Sequence, residues 1–386
     1  MAFIQRSILE EAKLLSRQFR ALSIIGPRQS GKTTLRKLLF NDKPYVNFEN
    51  PTTQAAAMED VELFLKQFPR GAILDEVQRV PDIFRYLQGL LDSKAERCQY
   101  ILTGSNNFLL QEQISQSLAG RIGYLQLLPL SYTELQNANL AFDNIAKQII
   151  AGGYPEIWDQ NLIPGKWMAS YVQTYVQRDV RLLRNIANLG DFNRFISICA
   201  NRSGQLINRE EMARTIGVDT KTIQAWLSVL ESSYIIYLLQ PWYKNLNKRI
   251  VKTPKLYFYD TGLLCYLLKI TSQSTLDKHS MYGNIFENWV ITEIKKNRFN
   301  RGINEGLYFF RDSTGNEIDL LMENEGSTMA VEIKSSKKIN SGMLSGLRYW
   351  KKNNSDARGL LIYGGEKEDE LEEGIHTVNW KKVSDI

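Results

Sequence analysis

The sequence predicts an α/β protein in several units: an N-terminal parallel-sheet domain, an α-rich module in the middle and a small α/β domain at the C-terminal end. Three observations predict it. Short apolar strands alternate with helical periodicity up to about residue 150, three short helical patterns follow between residues 192 and 240, and two alternating strands behind a long helical stretch fill the last third. At 386 residues the chain has length for two or three domains of about 150 residues each. Its 43% hydrophobic and 23% charged residues exclude a disordered or fibrous chain.

The first strand, Leu22 to Ile25, runs into Gly26-Pro27-Arg28-Gln29-Ser30-Gly31-Lys32-Thr33-Thr34 and then into helical periodicity up to Phe40. This is GxxxxGK[ST] in the strand–loop–helix setting that gives it meaning, and it marks a P-loop NTPase. Gly26 and Gly31 let backbone wrap phosphates, the helix N-terminus aims its N–H groups at them, Lys32 reaches the β/γ-phosphates, and Thr33 can ligate magnesium. The whole run from Gly26 to Thr34 is therefore the expected ATP-binding set.

A second apolar strand, Gly71 to Leu74, ends in Asp75-Glu76. Asp75 is expected to bind Mg2+, and Glu76 to polarise the water that attacks the γ-phosphate. The spacing leaves room for one intervening strand, Tyr45 to Phe48. A third strand, Tyr100 to Gly104, places Ser105 and Asn106 at its C-terminal end. There they either orient the attacking water beside the nucleotide or cap a helix. Arg121 is a candidate for stabilising transition-state charge, across a subunit boundary of a homo-oligomer, or else an ordinary surface arginine.

These strings, with Leu74-Asp-Glu-Val77, Leu102-Thr-Gly-Ser105, Leu118-Ala-Gly-Arg121 and Leu128-Pro-Leu-Ser131, resemble the AAA-superfamily ATPases of bacteria and archaea that carry a C-terminal domain of unknown function. Gly152-Gly-Tyr-Pro-Glu156, Tyr175-Val-Gln-Arg-Asp179 and Tyr257-Phe-Tyr-Asp-Thr-Gly262 are similar to that partner domain, so the resemblance covers nearly the whole chain. It implies an ATPase using ATP and Mg2+. It implies no physiological substrate.

Gly152-Gly153-Tyr154-Pro155 marks a turn, and an aromatic amphipathic stretch from Trp167 to Leu183 reads as a helix. Arg178, Arg181 and Arg184 recur on it as a charged face, either solvated or set against the nucleotide domain or an acidic partner. Helical patterns at Phe192–Ala200, Asn208–Thr215 and Asp219–Glu231 follow, with a glycine turn at Gly217 and N-caps at Asn208 and Asp219. This is a helix-turn-helix. Strands within Tyr234–Leu239 and Lys255–Phe258 form a wing whose loop carries Lys244, Lys248, Arg249, Lys252 and Lys255 without an acid. Beside Thr220, Lys221, Thr222 and Gln224, that loop suits DNA, with salt-sensitive binding expected; a protein-docking or packing unit is the other reading.

In the last third, a helix from Met281 to Ile294 precedes strands carrying Asp319 and Glu332 with Lys334, and Asn324-Glu-Gly326 supplies their hairpin turn. Asp319 and Glu332 suit magnesium, Lys334 activates or orients a water, and Glu287 completes the metal shell. The set resembles the PD-(D/E)xK nuclease fold, though no proline precedes Asp319; charges alternating on an exposed strand are the plainer reading. The run Glu366 to Glu373 reads as a solvated acidic face.

The expected architecture is thus a P-loop ATPase domain over 1–150, a helical linker over 151–191, a winged helix-turn-helix over 192–275 and a nuclease-like domain over 276–386. Glu10 and Glu11 stand where a signal peptide would be apolar, and no run approaches the roughly 18 apolar residues of a membrane helix, so a cytoplasmic protein is expected. Three scattered cysteines, Cys98, Cys199 and Cys265, read as buried thiols, and the +6 net charge permits a polyanionic partner without demanding one. The function expected is ATP hydrolysis coupled to a half that acts on DNA; the alternative is a nucleotide-state switch that docks a protein partner and cuts nothing.

Overall fold

The computed structural model describes residues 4–93, 96–104, 114, 117–180, 188–242, 252–324, 327–354, 358–372 and 374–386. The N-terminal strands β1 (Ala21–Ile25), β2 (Tyr45–Asn47), β3 (Ile73–Asp75), β4 (Tyr100–Gly104) and β5 (Ile122–Gln126) form one sheet in the order β2-β3-β4-β1-β5. Every pairing is parallel. Such a sheet is covered on both faces, so its strands read as continuous apolar runs. Alternate residues of β1 divide between two cores. Ala21 and Ile25 pack with α3 (Pro51–Glu59), α4 (Val61–Lys66) and α5 (Ile83–Ser93), while Leu22 and Ile24 pack with α1 (Leu9–Gln18) and α2 (Lys32–Leu39). All five strands point the same way, so their C-terminal ends gather the P-loop, Asp75 and Gly104 along one rim.

Beyond β5, helices α6 (Tyr132–Asn137), α7 (Ile145–Ala151), α8 (Pro155–Asp159) and α9 (Pro164–Tyr171) lead into a π-helical stretch, Val172–Val180. The expected continuous α-helix thus changes winding after Tyr171, a feature that marks functional sites more often than plain helix does. Then come α10 (Leu189–Asn201), α11 (Arg209–Ile216) and α12 (Thr220–Ser232). The Asn208 and Asp219 side chains accept from the N–H groups of Glu211 and Thr222, and Gly217 ends α11 in the left-handed conformation, as the sequence requires. Strands β6 (Gln205–Leu206), β7 (Ile236–Leu239) and β8 (Lys255–Phe258) form an antiparallel sheet in the order β6-β8-β7.

Helices α13 (Thr261–Leu267) and α14 (Gln273–Asp277) connect to α15 (Tyr282–Asn300), which is enclosed by protein along most of its length. The last sheet, β13-β14-β12-β11-β10-β9, contains β9 (Leu307–Arg311), β10 (Glu317–Asn324), β11 (Ser327–Lys334), β12 (Arg358–Tyr363), β13 (Glu370–Glu372) and β14 (Ile375–Asn379), with α16 (Ser345–Asn353) between β11 and β12. β9, β10 and β11 are antiparallel neighbours; β11, β12 and β14 run parallel. One apolar core reaches from Leu128 to Val383, and a second, with Phe310, Leu321, Leu347 and Trp350, lies between the C-terminal sheet and α16. Among the described residues no helix is long and apolar enough to cross a membrane, and Cys98, Cys199 and Cys265 are buried free thiols.

Candidate nucleotide site and C-terminal charge cluster

The loop between β1 and α2 needs glycine at its first turn. A Cβ on Gly26 would lie 2.1 Å from the carbonyl oxygen of Leu127, whereas Gly31 opens α2 in the left-handed conformation. Lys32 Nζ donates to the carbonyls of Gly26 (2.9 Å) and Pro27 (2.8 Å), inside the loop that it serves. Burial pushes this ammonium down to about 8 against the pull of Glu76 and Asp75.

Asp75 ends β3 with both oxygens engaged: Thr103 Oγ1 donates to one, and the Tyr45 hydroxyl to the other at 2.6 Å. Burial and that bond to Asp75 hold the Tyr45 phenol well above its ordinary value. Glu76 has left-handed backbone, and its carboxylate accepts from Gln78 Nε2 at 2.5 Å. Tyr45 and Thr103 are neighbours of Asp75 that sequence reasoning missed. The parallel register sets Asp75 beside Thr103, a signal for that residue alone, since it sets Asn47 and not Tyr45 beside Asp75 on the other side.

These groups open on a cavity of about 610 Å³, within the range of small-ligand sites. Of the expected set, Arg28, Gln29, Gly31, Lys32, Thr33, Thr34, Asp75 and Glu76 line it, whereas Gly26, Pro27 and Ser30 are buried behind the lining. Ser105 and Asn106 lie outside the described residues. The opposite wall comes from beyond residue 150: Pro155, Glu156, Asp159, Tyr171, Thr174 and Tyr175. The Arg28 guanidinium lies 5.4 Å from the centroid of the Tyr175 ring and so bridges the two walls.

Arg121 sits elsewhere. It precedes β5, at the rim opposite the P-loop, and forks onto Asp92 at 2.6 and 2.8 Å. A strand of five residues spans roughly 17 Å, so Arg121 cannot reach the nucleotide cavity of its own chain; only a neighbouring subunit's cavity would fit the expected role.

A different arginine supports the P-loop. Arg6 is buried and donates to Glu134 (3.0 Å), to the Ser30 carbonyl (2.8 Å) and to the Leu128 carbonyl (2.6 Å). Glu134 also closes a capping box with Ser131 on α6. This network ties the N-terminal segment, the P-loop and the segment after β5 together. Next to it, Leu130 N donates to the Gly153 carbonyl, Gly153 N to Asp260, Tyr132 N to Glu293, and Lys296 Nζ to Leu130 and Glu293. The strings Leu128–Ser131, Gly152–Glu156 and Tyr257–Gly262 therefore meet in one buried joint between the parallel sheet and α15.

In the C-terminal sheet, Leu320 pairs with Val331, which makes Asp319 and Glu332 cross-strand neighbours. Lys334 Nζ donates to Asp319 (2.9 Å) and to Glu332 (2.7 Å), and Ile333 N adds a second bond to Asp319. The expected trio thus comes together. Glu287 stands close by on α15 but accepts from Tyr257 (2.5 Å) and Lys255 (3.3 Å), and Lys255 also meets Glu317 at 2.6 Å. Burial, with the neighbouring Asp319, pushes the Glu332 carboxyl up; the Asp319 carboxyl is held down, since Lys334 and Lys255 outweigh its burial. The backbone of α16 closes over Glu332, where a Cβ on Gly346 would fall 2.1 Å from Oε1. Among the described residues no group of three acidic, histidine or cysteine side chains converges to hold a metal ion.

One wing expectation is overturned. Lys255, counted among the exposed lysines that face DNA, is 3% exposed and held by Glu287 and Glu317. Asn288 explains the placement: its side chain closes both backbone groups of Phe258 and fastens β8 to α15. Lys252, Thr220, Lys221 and Gln224 are exposed, the last accepting from Arg209. Lys244, Lys248 and Arg249 lie outside the described residues, as do Arg181, Arg184 and the hairpin turn Glu325-Gly326.

An AAA domain family matches residues 18–136, and two families described only as domains of unknown function (DUF8612 and DUF4143) match residues 142–274 and 282–383. An uncharacterized protein of Mycobacterium tuberculosis is 30% identical over 361 residues, 92% of this chain and 79% of the relative. The chain belongs to that family. It is a P-loop ATPase of the AAA class that ends in a domain of unknown function, as the resemblance implied. An uncharacterized protein of Methanocaldococcus jannaschii is 25% identical over 350 residues, covering 83% of this chain and 75% of that one. The Walker-type ATPase of Pyrococcus abyssi superposes with a TM-score of 0.45 at 14% identity, over 69% of this chain and 96% of that chain.

Proposed function

We propose that ATP binding and hydrolysis at the P-loop switch the C-terminal half of this AAA ATPase between states, and that this half acts on DNA. The observation that supports the coupling is the shared cavity: one wall is the P-loop, and the other is the segment Pro155–Tyr175, which leads into the helix-turn-helix. A nucleotide held by one wall bears on the other. In this reading Lys32 leaves the loop carbonyls for the β/γ-phosphates, and the loop and first-turn N–H groups bind phosphate oxygens. Thr33 and Asp75 supply the oxygen donors that suit magnesium, which when bound shields the phosphate charge. Glu76 turns from Gln78 to accept a proton from the attacking water.

At the other end, the first two turns of α12 offer Thr220, Lys221 and Gln224 to a groove, and Asp319, Glu332 and Glu287 would serve magnesium-dependent cleavage of a phosphodiester, with Lys334 beside them, once released from their present ion pairs. The second reading, a switch that docks a protein without cutting, is favoured by the burial and internal pairing of Asp319 and Glu332.

The test is ATP hydrolysis with and without double-stranded DNA, at low and moderate salt, beside Lys32→Ala. Stimulation that fades with salt supports the DNA reading; hydrolysis indifferent to DNA moves the C-terminal half to protein docking. Loss of a Mg2+-dependent nicking activity in Glu332→Ala supports cleavage, and a wild type that never nicks removes it.

A further inference from the structure

We propose that Lys255 is the internal counter-cation of the C-terminal carboxylate cluster, and that it locks this cluster against a divalent metal ion. This rests on reading Asp319 and Glu332 as metal ligands.

Four carboxylates meet here from three elements: Glu287 on α15, Glu317 and Asp319 on β10, and Glu332 on β11. They do not converge as ligands, because two ammonium groups lie among them. Lys334 spans Asp319 and Glu332, as its place in the strand motif leads one to expect. Lys255 comes from outside the motif. It reaches in from β8, 3% exposed, with Nζ 2.6 Å from Glu317 and 3.3 Å from Glu287. Tyr257, two residues on and on the same face of β8, donates to the same Glu287 oxygen. Glu287 and Glu317 are thus turned toward β8.

A buried ammonium this close to two carboxylates competes directly with any cation for their oxygens. Metal can enter with Glu287 and Glu317 as ligands only when Lys255 withdraws. Lys255 is the first residue of β8 and pairs with Leu239 of β7, so a shift of this hairpin would carry Lys255 with it. The present position of the Lys255 ammonium and the loading of Glu287 and Glu317 with metal exclude one another.

The test is calorimetric titration of Mn2+ into the full chain carrying Asp75→Asn and Glu76→Gln, which removes the acidic pair of the P-loop site. Compared are Lys255, Lys255→Met, Lys255→Gln and Lys255→Arg. The lock predicts that the Met and Gln variants bind Mn2+ about tenfold tighter or more, with a larger rise in melting temperature on adding Mn2+, while Arg binds no tighter than Lys. Gln keeps a neutral polar donor at this position and gives a second variant should Met not fold. Unchanged or weaker binding by a folded neutral variant overturns the lock and leaves the metal reading standing. Binding absent in every variant, or surviving Asp319→Asn, overturns the metal reading and the lock together.

Discussion

The nucleotide cavity and the C-terminal cluster are both built from charged residues at the ends or faces of strands, yet one is open and the other is shut. Around the cavity, Lys32 rests on carbonyls of its own loop, and Thr33 and Thr34 face solvent beside about 610 Å³ of space. In the cluster, lysines and carboxylates neutralise one another, and Asp319, Glu332 and Lys255 are nearly fully buried. A motif tells which groups share a place. It does not tell whether that place admits a ligand, because admission depends on partners that the motif does not contain.

The largest effect expected from this contrast is at Lys32. Lys32→Ala should lower ATP hydrolysis by about three orders of magnitude, whereas Glu332→Ala should leave DNA-free hydrolysis unchanged; a steady-state phosphate-release assay checks both, and a strong loss in Glu332→Ala would break the separation of the two sites. Next comes Arg6→Ala. Removing one partner of a buried pair leaves the Glu134 charge uncompensated, and a loss of about 3–5 kcal/mol in unfolding free energy is expected from chemical denaturation. A loss below about 1 kcal/mol would show that the P-loop does not depend on that network.

A smaller, pH-dependent effect follows from the lowered Lys32 ammonium. Its folded value of about 8 lies below the ordinary 10.5. The unfolded chain therefore holds more protons between those values, and this residue's contribution to stability rises with pH across that window. Phosphate binding favours the charged form, so ATP binding near pH 8.5 should take up a proton and weaken as pH rises further, while near pH 6.5 Lys32 should take up none. Binding enthalpies measured in buffers of different ionisation heat check this; a buffer-independent enthalpy at pH 8.5 refutes it. The smallest effect is at Arg121: Arg121→Ala should change hydrolysis by about twofold at most at dilutions where the chain is a monomer, and a large drop that appears only at high protein concentration would place the arginine in a neighbour's site.

How much was legible follows the distance between partners. The P-loop could be read because its chemistry is contiguous, from Gly26 to Thr34. Asp319, Glu332 and Lys334 could be read because period-two alternation puts side chains on a common face. Arg6 could not, since Glu134 stands 128 residues away and nothing in either neighbourhood names the other. Lys255 misled for the same reason: in sequence it closes a basic run, whereas in space Asn288 draws its strand against α15 and among the acids. The far wall of the cavity was invisible as well, because Glu156, Asp159 and Thr174 are ordinary residues until the fold sets them opposite Lys32.

That wall also bears on inheritance. A fragment cut at residue 150 would keep the parallel sheet, the phosphate loop and the acidic pair, and would fold around two of the cores described above. It would lack the wall of the cavity formed by Pro155, Glu156, Asp159, Tyr171, Thr174 and Tyr175. Recombination that exchanged the two halves between relatives would preserve both folds and still break the site, unless the segment from Pro155 to Tyr175 travelled with its own P-loop. The stretch of chain that must be inherited together is longer than the domain whose motif announces it.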